Sequence, residues 1–216
     1  MVPFGRGVID VGTDHGYLPL ALAQKAYPGK LFASDINERP LQSARRAAGE
    51  AGMEDRIRFL LCDGLDDCPP EEIDCIVIAG MGGDLICRIL DRAEWCLDEA
   101  YTLILQPMTK AEVLRYWLVN NGFTLCEERL VSDGILYQIL KAKYCGNMKL
   151  SDAELFTGAL ESIRSDPLAG ELIDALILRF EKERDGLLRA EYTEAGKAEL
   201  CRTILGELAE MKGMVR

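Results

Sequence analysis

Short apolar runs alternate with amphipathic segments along the first two thirds of the chain. The runs predict β-strands, and the segments between them, whose apolar positions recur at helical spacing, predict helices. This alternation is typical of an α/β fold with a parallel sheet. The predicted strands cover residues 8–10, 30–35, 58–64, 73–83 and 101–106. The predicted helices begin near residue 17 and cover residues 39–51, 84–95 and 111–121.

Two further β runs follow, at residues 123–131 and 135–143. The tripeptide Ser132-Asp133-Gly134 between them is a hairpin signal, so these two strands are expected to be antiparallel. Pro107 is predicted to stop the fifth strand because proline cannot donate to the ladder. Gly122 is predicted to end the helix before the hairpin.

The character of the chain changes after Leu150. Ser151 and Glu154 form a capping box ahead of a short apolar helix, which ends before Asp166-Pro167. Two long amphipathic helices follow, the first running to about Tyr192, and their spacing predicts an antiparallel coiled-coil hairpin. We therefore expect two domains, residues 1–145 and 146–216. The hairpin either pads the first domain or serves as an arm for a partner.

The charge balance narrows the range of functions. The net charge is −11, and the two predicted domains carry −7 and −4. Nucleic-acid-binding modules usually have a basic surface, so contact with a nucleic acid would require a local positive patch. Such a patch is expected from the C-terminal helices or from Arg45, Arg46, Arg56 and Arg58.

The metal-binding and targeting signals are weak. The chain has eight cysteines and one histidine, and no two cysteines form a C-x-x-C pair. This set offers little to a zinc ion, so no metal site is expected. No apolar run has the length of a membrane span, and the N-terminus lacks a signal-peptide pattern. A cytoplasmic protein in reducing surroundings is expected.

The sequence VIDVGTDHGYLP, at residues 8–19, joins the first strand to the first helix through a glycine loop. Asp10, Gly12 and Gly16 form the pattern D-x-G-x-x-x-G, and Asp14 stands where a dinucleotide fingerprint has its second glycine. Glycines let a ligand approach the backbone, and the helix N-terminus favours negative groups. The alternative is a tight turn that binds nothing.

Acidic residues or glycines also follow the next three strands. Asp35 lies 25 residues after Asp10, where an acid is placed to hydrogen-bond both hydroxyls of a ribose. Asp63 suits the exocyclic amine of an adenine, and Gly64 keeps the adjacent wall low. Because ligands bind at the carboxyl ends of parallel strands, these residues favour a nucleoside-containing ligand. Each acid taken alone is equally well explained as a helix cap or a turn former.

The motifs DVGTDHGYLP, SDIN, CDGL, AGMGG and ILQP occur in this order, and they resemble those of the TrmK family. Members of that family are bacterial tRNA (adenine-N1)-methyltransferases acting at position 22. The likeness covers roughly residues 7–144, with a helical segment of the expected kind behind it. Family members usually have a helix before the first strand, whereas this chain enters the strand within about six residues. A misassigned or truncated start is therefore one interpretation.

The resemblance implies a Rossmann-like class I methyltransferase that uses S-adenosyl-L-methionine (SAM). The implied sheet has seven strands, the last antiparallel, and a C-terminal coiled-coil hairpin serves as a tRNA-binding arm. The implied partner is tRNA, and the oligomeric state is left open. The expected cofactor-binding residues are Asp10, Gly12, Asp14, Gly16, Asp35, Ile36, Asp63, Gly64 and Ala79.

Adenine N1 has an in-plane lone pair, so its attack on the SAM methyl group requires orientation more than a general base. The AGMGG stretch has room for a purine, and Gly82 is expected to need torsions that suit glycine. Enzymes that methylate adenine N6 carry an Asn/Asp-Pro-Pro-aromatic sequence here, which this chain lacks. The expected catalytic residues are Gly80, Met81, Gly82 and His15. The expected substrate-binding residues are Gly83, Gln106, Pro107 and Tyr17.

Some assignments stay open from the sequence alone. His15 is expected to bind either the SAM carboxylate region or the target base, and Asp14 the SAM amino group. The acidic charge and short N-terminus suggest a second interpretation, a methyltransferase acting on a small molecule or a protein. A third is a non-catalytic protein that keeps the SAM fold and uses the helical hairpin for partner contacts.

Overall fold

The computed structural model describes residues 1–146, 148–189 and 195–215. Strands and helices alternate in the order that the apolar pattern predicts. The strands are β1 (Gly7–Val11), β2 (Lys30–Asp35), β3 (Ile57–Leu61), β4 (Cys75–Gly82), β5 (Thr102–Thr109), β6 (Phe123–Asp133) and β7 (Ile135–Tyr144). The helices between them are α1 (Tyr17–Gln24), α2 (Glu38–Glu50), α3 (Gly83–Arg92) and α4 (Ala111–Asn120).

Among the described residues, seven strands form one sheet in the order β3-β2-β1-β4-β5-β7-β6. The first five strands are parallel, whereas β7 runs antiparallel to both of its neighbours. The predicted Rossmann-like sheet with an antiparallel last strand is confirmed. Because the strand order reverses between β1 and β4, a crevice opens there at the carboxyl ends of the strands, where ligands bind in such sheets.

The core lies on both faces of the sheet, because helices cover both faces of parallel strands. Ile9 and Ile76 belong to the apolar cluster on the face covered by α3 and α4. Val8 and Val77 belong to the cluster on the other face, covered by α1 and α2. Neighbouring residues of one strand thus face opposite layers, which fixes the register and holds the strand ends at one edge.

One strand is longer than predicted. β5 passes Pro107 and ends at Thr109, whereas β4 covers the AGMGG stretch as far as Gly82, within its predicted range. The expectation that Pro107 stops β5 is wrong. Pro107 lies opposite Met81, where the β4–β5 register is irregular, and proline is tolerated at such irregularities. Ala79, Met81 and Gly82 are therefore paired with β5, and Gly83 begins α3.

The C-terminal helices are α5 (Asp152–Thr157), α6 (Leu160–Ile163), α7 (Ala169–Arg189) and α8 (Ala195–Lys212). The predicted capping box is confirmed, since Ser151 Oγ accepts a bond from the Glu154 N–H and Glu154 Oε2 accepts one from the Ser151 N–H. Lys212 near the end of α8 pairs with Asp174 near the start of α7. These two helices are therefore antiparallel, as predicted. The predicted end of the first long helix near Tyr192 lies outside the described residues.

A buried ion pair connects the sheet layer to the C-terminal helices. Arg115 Nε on α4 donates to Glu128 Oε1 on β6 at 2.8 Å, and both side chains are almost completely buried. Arg115 Nη1 also donates to the Leu155 carbonyl, and Glu128 Oε2 accepts from the Ala159 N–H. Packing of α5 and α6 thus completes the hydrogen bonds of this pair. The division into domains 1–145 and 146–216 stays a prediction.

Candidate active site

The loop between β1 and α1 is fixed by the neighbouring strand. The main-chain N–H groups of Gly12 and Thr13 donate to the Ser34 carbonyl at 2.8 and 2.9 Å. Gly12 has a φ of 71°, which glycine adopts without strain. A Cβ at Gly12 would also lie 2.1 Å from Met81 Cε. Glycine is therefore needed at this position, and the loop backbone lies directly against the AGMGG stretch.

Asp10 lies beneath this loop. Its Oδ2 accepts a hydrogen bond from the Thr13 hydroxyl at 2.6 Å. Burial raises the pKa of Asp10 to about 6, and the bond from Thr13 opposes that shift. This carboxyl group supports the loop from below, and direct contact between Asp10 and a cofactor stays a prediction.

Asp35 is oriented by two main-chain donors. Its Oδ2 accepts from the N–H of Asp14 at 3.4 Å, and its Oδ1 accepts from the N–H of Asn37 at 2.9 Å. Asp14 has a φ of 50°, in the left-handed region that side chains other than glycine rarely adopt. Each carboxylate oxygen has two lone pairs, so Asp35 retains acceptor capacity for two adjacent hydroxyl groups.

Asp63 carries a partner that the sequence did not reveal. Arg92 Nη1 donates to Asp63 Oδ2 at 2.9 Å, and Arg92 Nη2 donates to the Asp63 carbonyl at 3.0 Å. The hydrogen bond and charge of Arg92 lower the pKa of Asp63 below its usual range. Arg92 lies 29 residues downstream, at the end of α3, and no motif marks it. This contact sets the orientation of the Asp63 carboxylate.

These strand ends enclose a cavity of about 370 Å³, which we call the carboxyl-edge cleft. Its size falls within the usual range for small-molecule sites. Eight predicted site residues line it: Gly12, Asp35, Ile36, Asp63, Gly64, Ala79, Gly80 and Met81. Four lining residues were not predicted: Val11, Cys62, Leu85 and Ile89. Leu85 and Ile89 are four residues apart on α3, and residues at this spacing share one helix face. This spacing was the sequence signal that could have identified them as a pair lining the cleft.

Gln106 and Gly80 meet at the edge of this cleft. The Gly80 N–H donates to Gln106 Oε1 at 2.9 Å, and Gln106 Nε2 donates to Met108 Sδ at 3.5 Å. These two contacts fix the orientation of the side-chain amide. Gly80 has a φ of 78°, and a Cβ built on it would meet no atom within 4 Å. The backbone conformation, and not crowding, therefore requires glycine at this position.

The last two glycines of AGMGG differ from Gly80 in backbone conformation and packing. Gly82 has a φ of −68°, which any residue adopts, so the expectation that it needs glycine torsions is wrong. A Cβ at Gly83 would lie 2.2 Å from the Lys110 carbonyl oxygen, so glycine there permits close packing of α3 against the end of β5. Pro107 is buried within β5. Substrate contacts from Gly83 and Pro107 stay predictions.

His15 and Tyr17 lie at the protein surface beside Gly16, at the start of α1. His15 Nδ1 is 3.1 Å from Ser43 Oγ, and its Nε2 is 3.6 Å from Asp14 Oδ2. The two aromatic rings are 5.5 Å apart, and Tyr17 is 72% exposed. Both side chains are thus accessible to a large substrate, while neither lines the carboxyl-edge cleft.

Two negative observations apply to the residues that the structure describes. Within residues 1–146, 148–189 and 195–215, no group of three or more His, Cys, Asp or Glu side chains is arranged to hold a metal ion. In the same part of the chain, no helix combines the length and apolar character needed to cross a bilayer.

The sheet order, with a cleft at the carboxyl ends of its parallel strands, defines a Rossmann-like α/β protein. Residues 1–140 match the family model described as a methyltransferase domain, and the chain belongs to that family. Among curated proteins, it is 35% identical over 143 residues to the tRNA (adenine(22)-N(1))-methyltransferase of Bacillus subtilis. That match covers 66% of this chain and 60% of the relative, so it spans less than two thirds of the relative's length.

Solved structures resemble the chain over nearly its whole length. The B. subtilis m1A22 tRNA methyltransferase TrmK has a TM-score of 0.86 at 27% identity, covering 98% of this chain and 94% of that one. A Streptococcus pneumoniae putative tRNA (m1A22) methyltransferase, solved with SAM, has a TM-score of 0.76 at 28% identity, covering 97% and 94%. The resemblance to the TrmK family expected from the motifs is confirmed.

Proposed function

We propose that this protein is a SAM-dependent methyltransferase that transfers a methyl group to N1 of an adenine in tRNA, at position 22. The observation that carries the proposal is the convergence of Asp35, Asp63 and Gly80 on one cleft. Each of these residues comes from a separate motif, and the motifs follow the order seen in the TrmK family. The match to a relative with this activity supports the choice of substrate.

The residues of the carboxyl-edge cleft fit the nucleoside portion of SAM. Asp35 is placed to accept hydrogen bonds from both ribose hydroxyls, since its two oxygens are held by main-chain donors. Asp63 accepts from the exocyclic amine of the adenine, with Arg92 holding its carboxylate. A Cβ at Gly64 would lie 3.0 Å from Ile89 Cγ2, so glycine there keeps the adenine wall thin. Asp14 is assigned to the SAM amino group.

The main requirement of the reaction is that these residues orient SAM and the target adenine. SAM supplies a methyl group bound to a positively charged sulfur, and the N1–C bond forms as the C–S bond breaks. The N1 lone pair of adenine lies in the ring plane and is free at neutral pH, so no side chain needs to remove a proton before attack. The chain's task is to hold the Watson–Crick edge of an unpaired base against the methyl group.

Gly80, Met81 and Gln106 form the wall on which we place the target base. Gln106 Nε2 has two N–H groups, and only one is directed to Met108 Sδ. The second is available to an acceptor on the base. His15 and Tyr17, exposed at the start of α1, are placed to contact either the base or the SAM carboxylate region. None of these residues is assigned as a general base.

The C-terminal helices are proposed to act as the tRNA-binding arm. α7 and α8 form an antiparallel pair, and Arg115 and Glu128 hold the helices before that pair against the sheet. A pair held in this way extends a fixed surface from the methyltransferase domain toward a large substrate. Action on tRNA also implies a cytoplasmic location.

The test is methyl transfer from labelled SAM to unmodified bacterial tRNA, followed by mass spectrometry of the nucleosides. We expect 1-methyladenosine in the product, and we expect its loss when the tRNA carries guanine at position 22. Transfer only to a protein fraction or a small molecule would contradict the proposal. Binding of SAM without any transfer would instead support a non-catalytic protein.

A further inference from the structure

A second and larger cavity, of about 1210 Å³, lies at the opposite edge of the sheet from the carboxyl-edge cleft. The starts of β2 and β3, the loop before β1, and α2 form its walls. Five exposed basic side chains surround it: Arg6, Lys30, Arg45, Arg56 and Arg58. We call this cavity the basic groove. Three of its arginines, at 45, 56 and 58, are among the four expected from the sequence to form a positive patch.

The basic groove carries an excess of positive charge in a protein whose net charge is −11. Three acidic residues also line it: Glu54, Asp55 and Glu72. Glu72 pairs with both Lys30 and Arg58, and these two cations remain exposed at 63% and 59%. A fourth carboxylate, Asp74, lies 4.0 Å from Arg6 Nε. Five cations therefore face four carboxylates, which leaves a small net positive charge at this edge of the sheet.

Two of the arginines are held without a carboxylate partner. The Arg45 guanidinium lies over the Phe59 ring, 4.7 Å from its centroid. Arg56 Nη2 donates to the Tyr27 carbonyl at 2.7 Å. In the part of the chain that the structure describes, neither arginine forms an ion pair with a carboxylate. Their charge is thus fixed in place and free for an anionic ligand.

The shape of the groove favours a long anion over a small one. Its volume exceeds the usual range for small-molecule sites, about 300–1,000 Å³. The cations come from separate segments: the loop before β1, the start of β2, helix α2, and the chain at the start of β3. β2 has six residues, so the groove lies about 20 Å from the cleft. A polyanion that sets one nucleotide against the wall formed by Gly80, Met81 and Gln106 can reach the groove with its backbone.

We propose that the basic groove binds the sugar–phosphate backbone of the tRNA, at a contact separate from the one that holds the target adenine. This inference rests on the proposed function, because it takes tRNA as the substrate. The contact supplies affinity and orientation without reading sequence, since phosphates carry no base information. It also explains how an acidic protein holds an acidic substrate.

The first experiment compares arginines that line the basic groove with an arginine on the other outer strand of the sheet. Arg58 on β3 pairs with Glu72, and Arg129 on β6 pairs with Glu127; the side chains are 59% and 62% exposed. The variant Arg45→Gln/Arg58→Gln is expected to weaken tRNA binding about tenfold. It should also lower the slope of log Kd against log salt by about 0.7–0.9 per lost phosphate contact, between about 50 and 200 mM salt. Arg129→Gln is expected to leave both quantities unchanged.

The second experiment changes the charge in the other direction. Glu72→Gln releases Lys30 and Arg58, so it is expected to tighten tRNA binding and steepen its salt dependence. SAM affinity, measured by calorimetry, should be the same in all three variants and the wild type, which reports intact folding. Glu72→Gln keeps the proposal testable if Arg45→Gln/Arg58→Gln does not fold.

Equal tRNA affinity and salt slope in the wild type, Arg45→Gln/Arg58→Gln and Glu72→Gln would overturn the inference. If the wild type methylates tRNA at the same time, the proposed function stands and the groove serves another partner, such as an acidic protein. If the wild type neither binds nor methylates tRNA, both the proposed function and this inference are overturned. The nucleoside assay on the wild type therefore separates the two failures.

Discussion

Arg92 donates two hydrogen bonds to Asp63, one to the side-chain Oδ2 at 2.9 Å and one to the main-chain carbonyl at 3.0 Å. Arg92 Nε also lies 3.5 Å from Asp66 Oδ1. One arginine at the end of α3 thus holds the turn after β3, which contributes Asp63 and Gly64 to the carboxyl-edge cleft. The carboxylate proposed to bind the adenine amine is aimed by a residue outside every recognised motif.

We expect Arg92→Gln to weaken SAM binding severalfold, because the Asp63 carboxylate loses its fixed orientation and the turn loses a clamp. The same change should raise the pKa of Asp63 toward its ordinary value, since the first cause of its lowering is the hydrogen bond from Arg92. Calorimetric titration with SAM measures the first effect, and carboxyl NMR shifts measure the second. Arg88→Gln, on the same helix, serves as the control. An unchanged Kd would remove Arg92 from cofactor positioning.

We expect Asp35→Ala to weaken SAM binding by about 1–3 kcal/mol, because both ribose hydroxyls lose an acceptor inside a buried site. That loss corresponds to a rise in Kd of about 5- to 150-fold. Asp35→Asn should weaken binding less, since one acceptor oxygen remains. Asp133→Ala, in the exposed hairpin turn, is the control for a removed carboxylate. A Kd that does not change in Asp35→Ala would show that the ribose binds elsewhere.

Much of the fold follows from local pattern. Each strand of the parallel sheet has an apolar run bounded by turn residues, and the glycines at 12 and 16 adopt positive φ as a strand–loop–helix junction requires. The hairpin around Gly134 and the capping box at Ser151 depend only on neighbouring residues, and both occur where the sequence places them. Features set within a few residues were therefore predictable.

The errors and omissions share a long-range cause. Pro107 does not end β5, because the register irregularity with β4 accommodates it, and no local signal encodes that irregularity. Arg92 and Asp63 are 29 residues apart, so their contact depends on how α3 packs. Arg115 and Glu128 are 13 residues apart, and the C-terminal helices help to bury both, so their pairing also depends on packing. Tertiary packing decided each of these cases.

The raised pKa of Asp10 predicts a pH-dependent stability. The pKa of Asp10 in the folded protein, about 6, lies above its ordinary value of 3.8, so between these two pH values the folded protein holds a proton that the unfolded chain has lost. The free energy of unfolding therefore falls as pH rises through that window, by about 3 kcal/mol in total. Well above pH 6 Asp10 is deprotonated in both the folded and the unfolded protein, so this loss of stability no longer changes with pH.

We expect Asp10→Asn to be more stable than the wild type by about 2–3 kcal/mol at pH 8, with the difference vanishing near pH 4. The asparagine still accepts the hydrogen bond from Thr13 but carries no buried charge. Urea unfolding without SAM at both pH values measures the effect, and Asp133→Asn is the exposed control. A stability difference that is the same at both pH values would contradict the raised pKa of Asp10.

The Arg115–Glu128 pair predicts a large loss of stability when one partner is removed. We expect Glu128→Gln to cost about 3–5 kcal/mol, because Arg115 would remain charged in a buried site without its counter-ion. The double variant Arg115→Met/Glu128→Leu should recover part of that loss, since no charge remains buried. Urea unfolding of both variants tests this. A cost below about 1 kcal/mol for the single change would place the pair in the class of exposed ion pairs.

The contrast between Gly80 and Gly82 tests where the target base lies. Gly80 has a φ of 78° and open space in front of it, whereas Gly82 has a φ of −68° and would place a Cβ 3.2 Å from Thr109 Oγ1. We expect Gly80→Ala to lower turnover more than tenfold while SAM affinity stays within about tenfold, or 1.4 kcal/mol. The added methyl group would project into the cleft, and the backbone would be strained.

Gly82→Ala is the matched control, and we expect it to retain SAM affinity and most of the turnover because its backbone suits any residue. Thermal melting of both variants, with and without SAM, separates loss of folding from loss of catalysis. A folded Gly80→Ala variant that binds SAM and methylates tRNA at the wild-type rate would remove Gly80 from the acceptor wall. The reverse pattern, with Gly82→Ala inactive and Gly80→Ala active, would move the acceptor site toward α3, because Gly82 directly precedes the first residue of that helix.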